Sequence, residues 1–301
     1  MQGRLALTTL LALMAFAANS ILCRLALLPD PALASGAAAG SIDAGSFTAL
    51  RVGSGALILV AVSLARSGAA TAVEARSLLT FGRRDLFAGA MLFTYMVGFS
   101  LAYLRLGAGL GALVLFGAVQ VTMLSAAILG GERFGALGWT GFAVALGGLV
   151  WLVSPGATAP DPLAAASMTA AGIAWGFFSL SGRGAGSPLL AMTRAFLLCV
   201  PAVLVFLLLY AVLAGLGITW PGVLLALASG SLASGLGYVL WYAALPTLGA
   251  GRAATVQLAV PAIAAVAGVL LLSEPLTQRL LLSSLAVLGG VFLVLRARRA
   301  G

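Results

Sequence analysis

The informative side chains of this chain are polar or amphipathic residues set inside long apolar stretches: Asn19, Tyr95, Gln120, Trp175, Tyr238, Trp241, Tyr242, Thr255 and Gln257. In a dry medium each must find a partner, so such residues mark either a ligand path or a hydrogen bond between helices. Amide groups among aromatic rings suit a medium-sized, partly apolar solute, and a ring face can hold an ammonium group. Asn19, Tyr95, Gln120, Trp175, Tyr238, Trp241 and Gln257 form the expected substrate-binding set. Tyr and Trp also build interfacial belts. Trp139, Trp151 and Trp220, near the ends of apolar runs, read as belt residues, and Trp241 and Tyr242 fit belt or packing roles equally well. For Asn19 and Gln120, interhelical hydrogen bonding is the competing role.

Ionisable groups narrow the chemistry further. Glu132 and Glu274 sit at the ends of apolar runs beside turns, where a carboxylate caps the following helix. No other acid falls at membrane depth and the chain has no His, so a proton relay lacks its usual parts. Facilitated diffusion or exchange is expected over tightly coupled proton antiport. Hydrolases, transferases and metalloproteases need a catalytic constellation that is missing, so no enzyme is expected. Cys23 and Cys199 lie in apolar runs without metal or redox spacing, and neither metal nor cofactor is expected. Arg24, Arg51 and Arg194 begin or end apolar runs and are expected to snorkel to headgroups, with a carboxylate-binding role as the alternative for Arg51. The glycines of Gly107–Gly111 and Ser231–Gly235 have the spacing of close helix packing; no GxGxxG or GK[ST] start makes them a phosphate loop.

The elements that position these residues follow from composition. Hydrophobic residues make up 62% of 301 positions and charged residues 8%, against about 25% charged in a soluble domain. The net charge of +9 comes from scattered arginines that form no basic face, which excludes nucleic acid as a partner and leaves membrane lipid. Runs of about 20 apolar residues predict ten spans: 5–28, 46–65, 86–104, 108–130, 135–153, 163–182, 189–213, 221–243, 250–272 and 278–296. Residues 1–22 resemble a signal peptide, but the apolar run continues to Leu28 without an A-x-A site, so they are read as the first span. With the N-terminus inside, twelve arginines fall on the cytoplasmic side and four (Arg24, Arg51, Arg105 and Arg279) outside. That bias places both termini in the cytoplasm. Residues 29–45 read as a flexible outer loop, and 66–85, with four arginines, as a cytoplasmic stretch against anionic headgroups.

The chain also repeats itself. Leu106–Gly109 recurs at Leu248–Gly251, Glu132 at Glu274, and Gly147–Gly148 at Gly289–Gly290, all 142 positions later. Five spans per half is odd, so residues 154–301 enter the membrane inverted relative to 1–153. Inverted repeats build paired bundles around a midplane site with two nearly equivalent ways to open. The expected class is an all-α membrane protein of ten helices in two inverted five-helix repeats.

Gly131-Glu132-Arg133-Phe134 with Trp139, Gly141 and Gly147-Gly148 resembles the end of an EamA domain, the repeating unit of the drug/metabolite transporter superfamily. The second copy is similar at Pro261, Glu274-Pro275-Leu276 and Gly289-Gly290; Arg51, Trp175 and Gly235-Leu236-Gly237-Tyr238 with Trp241-Tyr242 add to it. The resemblance implies a monomeric bacterial inner-membrane transporter of small organic metabolites. Amino acids are the cargo it favours, moved outward by rocking of spans one to four and six to nine. The aromatic set tilts this toward apolar or aromatic side chains; a flippase for lipid-linked cargo is the alternative. One departure stands out: the family has a mid-span proline in spans four and nine, and here span four carries Gln120 where span nine keeps Pro261. A proline frees a backbone carbonyl, whereas Gln120 offers a side-chain amide.

Overall fold

The computed structural model describes residues 2–28, 42–66, 78–131, 135–154, 159–182 and 187–297, without the side chains of 2, 249–255 and 295. The helices are α1 (Gln2–Leu27), α2 (Ala44–Arg66), α3 (Arg83–Tyr103), α4 (Ala108–Leu129), α5 (Ala136–Val153), α6 (Pro162–Ser181) and α7 (Pro188–Ala214). They continue as α8 (Trp220–Ala228), a π-helical segment (Ser229–Leu236), α9 (Gly237–Gln257), α10 (Ala259–Leu272) and α11 (Gln278–Ala297). Among the described residues the one extended contact is an isolated antiparallel bridge between Ile42 and Ile218. Residues 29–41 of the expected loop 29–45, most of the stretch 66–85, Glu132 with Arg133, and the Thr255 side chain lie outside the described set.

Helix starts follow local chemistry. Asp161 accepts the Ala164 N–H at 2.9 Å ahead of Pro162, and Ser187 accepts that of Leu190 at 3.3 Å ahead of Pro188. Both pair a side-chain cap with a proline whose missing N–H costs nothing in the first turn. The tight joint after α3 spans four residues; Leu106 N–H bonds to the Ala102 carbonyl at 2.9 Å.

Eight described helices are long and apolar enough to cross a membrane, and Ala259–Leu272 and Gln278–Val294 are shorter apolar helices. Eight of the ten expected spans are therefore long and apolar enough to cross, and the last two fall in shorter apolar helices. Spans eight and nine differ most from expectation. Pro246 does not end a helix, because α9 runs through it to Gln257, and the break comes at Leu258. Pro261 then sits in the first turn of α10, where its absent N–H goes unmissed, and the expected mid-helix kink becomes a break. A straight helix from Tyr238 to Gln257 would span about 28 Å. Both residues line one small cavity, so α9 does not run straight between them.

Glycines set the closest approaches. A Cβ on Gly148 would lie 2.6 Å from Ala286 Cβ and 3.2 Å from Val287 N; one on Gly290 would lie 2.5 Å from the Gly141 carbonyl and 2.6 Å from Ala145 N. The pairs Gly148–Val287 and Gly290–Ala145 interchange when one residue moves forward and the other back by 142 positions. The α5–α11 contact is thus reciprocal.

Candidate functional site

A small, partly open cavity, with about 370 Å³ of empty space including open solvent, is lined by Phe16, Asn19, Ser20, Tyr95, Phe99, Leu115, Phe116, Trp175, Tyr238 and Gln257. Helices α1, α3, α4, α6 and α9 each supply part of its wall. An aromatic ladder crosses it. Trp175 stacks on Tyr238 with ring centroids 5.4 Å apart and meets Tyr95 at 4.8 Å; Phe16 reaches Tyr238 at 5.5 Å and Phe99 reaches Tyr95 at 5.5 Å. Offset and edge contacts at these distances stiffen the wall.

Five of the seven expected residues, Asn19, Tyr95, Trp175, Tyr238 and Gln257, come together here. Gln120 is buried on α4 but is not among the lining residues, and neither is Trp241, whose ring centroid lies 5.7 Å from that of Phe16. Asn19 accepts hydrogen bonds from Ser229 at 2.8 Å and Ser234 at 3.3 Å, both on the π-helical segment. The extra residue per turn in such a segment shifts the register of a helix face, and π-bulges recur at functional sites. Here it brings two hydroxyls to one amide.

The structure corrects the reading of Arg51. Its side chain does not snorkel to the surface: it is completely buried about 10 Å along α2 from Ala44. Nη2 donates to the Tyr95 hydroxyl at 3.0 Å, Nε reaches Ser234 Oγ at 3.5 Å, and Nη1 has no partner among the described residues. The guanidinium carbon lies 4.5 Å from the Phe99 ring centroid and 5.5 Å from that of Tyr95. Gly230 makes room for this, since a Cβ there would meet the Arg51 carbonyl at 2.2 Å and Ser54 Oγ at 2.0 Å. Arg24 is likewise engaged, donating to the Tyr103 carbonyl at 2.9 Å and lying 3.8 Å from Glu274. Arg194 faces Asp85 at 3.8 Å.

Glu274 caps a helix, but not the one that follows it. Its carboxylate accepts the N–H of Ala108 at 2.8 Å and of Gly109 at 3.4 Å, at the start of α4. The described carboxylates Asp43, Asp85, Asp161 and Glu274 all lie at helix ends, clear of the cavity lining. Phe16, Ser20, Phe99, Leu115 and Phe116 complete the wall without having been singled out in the sequence. In a chain this apolar, nothing in composition or spacing separates a cavity phenylalanine from a packing one.

Apolar helices of spanning length around an aromatic cavity define a multi-pass membrane protein. Residues 162–296 match the EamA-like transporter family, and the chain belongs to that family. It is a membrane transporter of small molecules. An uncharacterized protein of Pseudomonas aeruginosa is 48% identical over 295 residues, which cover 98% of this chain and 96% of the relative. An uncharacterized transporter of Archaeoglobus fulgidus is 44% identical over 62 residues, 21% of this chain and 22% of its own. A solved crystal structure shares the fold over 98% of both chains, with a TM-score of 0.64 at 19% identity.

Proposed function

We propose that this transporter exports amino acids with apolar or aromatic side chains by alternating access. It does so as a monomer in the bacterial inner membrane, with both termini in the cytoplasm. The observation that carries the reading is the cavity, whose rings suit an apolar side chain while the Asn19 and Gln257 amides offer hydrogen bonds to a polar head. Tyr95, Trp175 and Tyr238 hold the side chain, and an ammonium group lies against their faces.

Two inverted repeats, 1–153 and 154–301, supply the motion. The reciprocal contact of Gly148 with Val287 and Gly290 with Ala145 supports this arrangement, because a pseudo-two-fold axis generates each pair from the other. So does the break at Leu258, since interrupted helices near a midplane site are a recurring transporter device.

The test is uptake into proteoliposomes of a labelled panel of apolar, aromatic and polar amino acids without an imposed proton gradient. Saturable, competable uptake of apolar and aromatic members is expected. If no member enters, even under a gradient of either sign, the amino-acid assignment falls and other metabolites or lipid-linked cargo take its place.

A further inference from the structure

We infer that Arg51 is the anion-recognition residue of the cavity, and that the substrate carries a single carboxylate that seats on its free guanidinium edge. This deepens the proposed function, on which it rests for the location of the site. It shifts the weight of recognition from the amino group to the acid.

A buried ion costs several kcal/mol unless it is paired and hydrogen-bonded. Arg51 is fully buried, and no carboxylate among the described residues forms an ion pair with it. Of the five N–H donors of a guanidinium, the structure commits one to Tyr95, one at longer range to Ser234, and none on Nη1. Phe99 and Tyr95 offer ring faces, which attract a cation without neutralising it. The planar fork of arginine matches a carboxylate, and the contact is stronger where water is excluded.

Arg51 is not itself among the lining residues, and the side chains that hold its guanidinium lead back to the cavity. Tyr95 and Phe99 are wall residues, and Ser234 bonds to the wall residue Asn19. From Phe99 the aromatic ladder runs through Tyr95 and Trp175 to Tyr238, so an anion seated on Arg51 places an apolar body along the rings. Arg24 already lies against Glu274, which among the described residues leaves the Arg51 charge uncompensated and available to the ligand. One charge balances a carboxylate and leaves a phosphate dianion unneutralised.

The test uses purified full-length protein in detergent and reads ligand binding from quenching of tryptophan fluorescence, independent of transport. Matched ligands are phenylalanine against phenylalaninamide, phenylacetate against phenethylamine, and phenyl phosphate. The acids are expected to bind at least about tenfold more tightly than the amide or the amine, and phenyl phosphate more weakly than phenylacetate. Arg51→Met should erase that preference, and Arg51→Lys should retain part of it because the charge stays while the fork is lost. Amide or amine binding equal to the acids overturns the inference in the wild type alone, whether or not the variants fold. Tighter binding of phenyl phosphate, or an unchanged acid preference in Arg51→Met, overturns it as well. Phenylacetate bound in preference to phenethylamine, with no amino acid bound or carried, would sink the amino-acid proposal and leave this one standing.

Discussion

The carboxylate of Glu274 accepts the backbone N–H of Ala108 at 2.8 Å, so a residue near the end of the chain caps a helix that starts 166 positions earlier. Arg24 on α1 lies 3.8 Å from the same carboxylate, and three elements far apart in sequence meet at one point. A capping acid at a helix N-terminus contributes about 0.5–2 kcal/mol. Glu274→Ala should therefore lower the unfolding midpoint in detergent, with Glu274→Gln losing less, as thermal melts would show. Equal midpoints for all three proteins would remove the capping role.

The two Gly-Gly pairs should respond asymmetrically. A Cβ on Gly148 or Gly290 would strike the facing backbone or side chains within 2.6 Å, whereas Gly147 and Gly289 have nothing within 4 Å. Gly290→Leu should destabilise by about 1–3 kcal/mol through overpacking, while Gly289→Ala and Gly147→Ala remain near neutral. Melting curves of the four single variants, Gly148→Leu included, check this; indistinguishable curves would mean that α5 and α11 do not pack as described.

Cavity position should outweigh residue type. Gln257 lines the cavity and Gln120 does not. Gln257→Leu should lower kcat/KM for uptake at least about tenfold, as expected for losing a hydrogen bond to a charged group. Gln120→Leu should change it by less than about threefold, within the range of packing effects. The reverse order would move the site along α4 from Phe116 toward Gln120.

Uptake should be flat between about pH 5.5 and 8.5, because arginine stays protonated throughout that range. The chain has no His, and the described acids lie at helix ends away from the cavity. Uptake with a pH-sensitive dye inside the vesicles should show no coupled proton movement. Steep pH dependence with internal acidification or alkalinisation would require a proton carrier.

Much of the architecture was legible because a span needs only apolar length, and the helices begin where Pro162, Pro188 and Pro221 allow. The boundary between spans eight and nine was not legible. Pro246 is carried inside α9 while Pro261 shifts the break to Leu258, and that choice depends on tertiary packing. Within the cavity, Asn19, Trp175 and Gln257 were legible because polar or amphipathic groups are rare in apolar runs. Arg51 was misread because proximity to a helix end suggests snorkelling. Its burial depends on Gly230 and the π-helical segment letting another helix close over it. Hydrophobic periodicity does not register such a segment.

The most direct test of the central claim is uptake of labelled apolar and aromatic amino acids into proteoliposomes preloaded with the unlabelled compound. It compares the wild type with Trp175→Ala, a variant that removes the middle of the aromatic ladder. The account predicts saturable exchange by the wild type and at least about a tenfold loss in the variant, with the unfolding midpoint within a few degrees of wild type. No exchange by the wild type, or equal exchange by a well-folded Trp175→Ala, would contradict it.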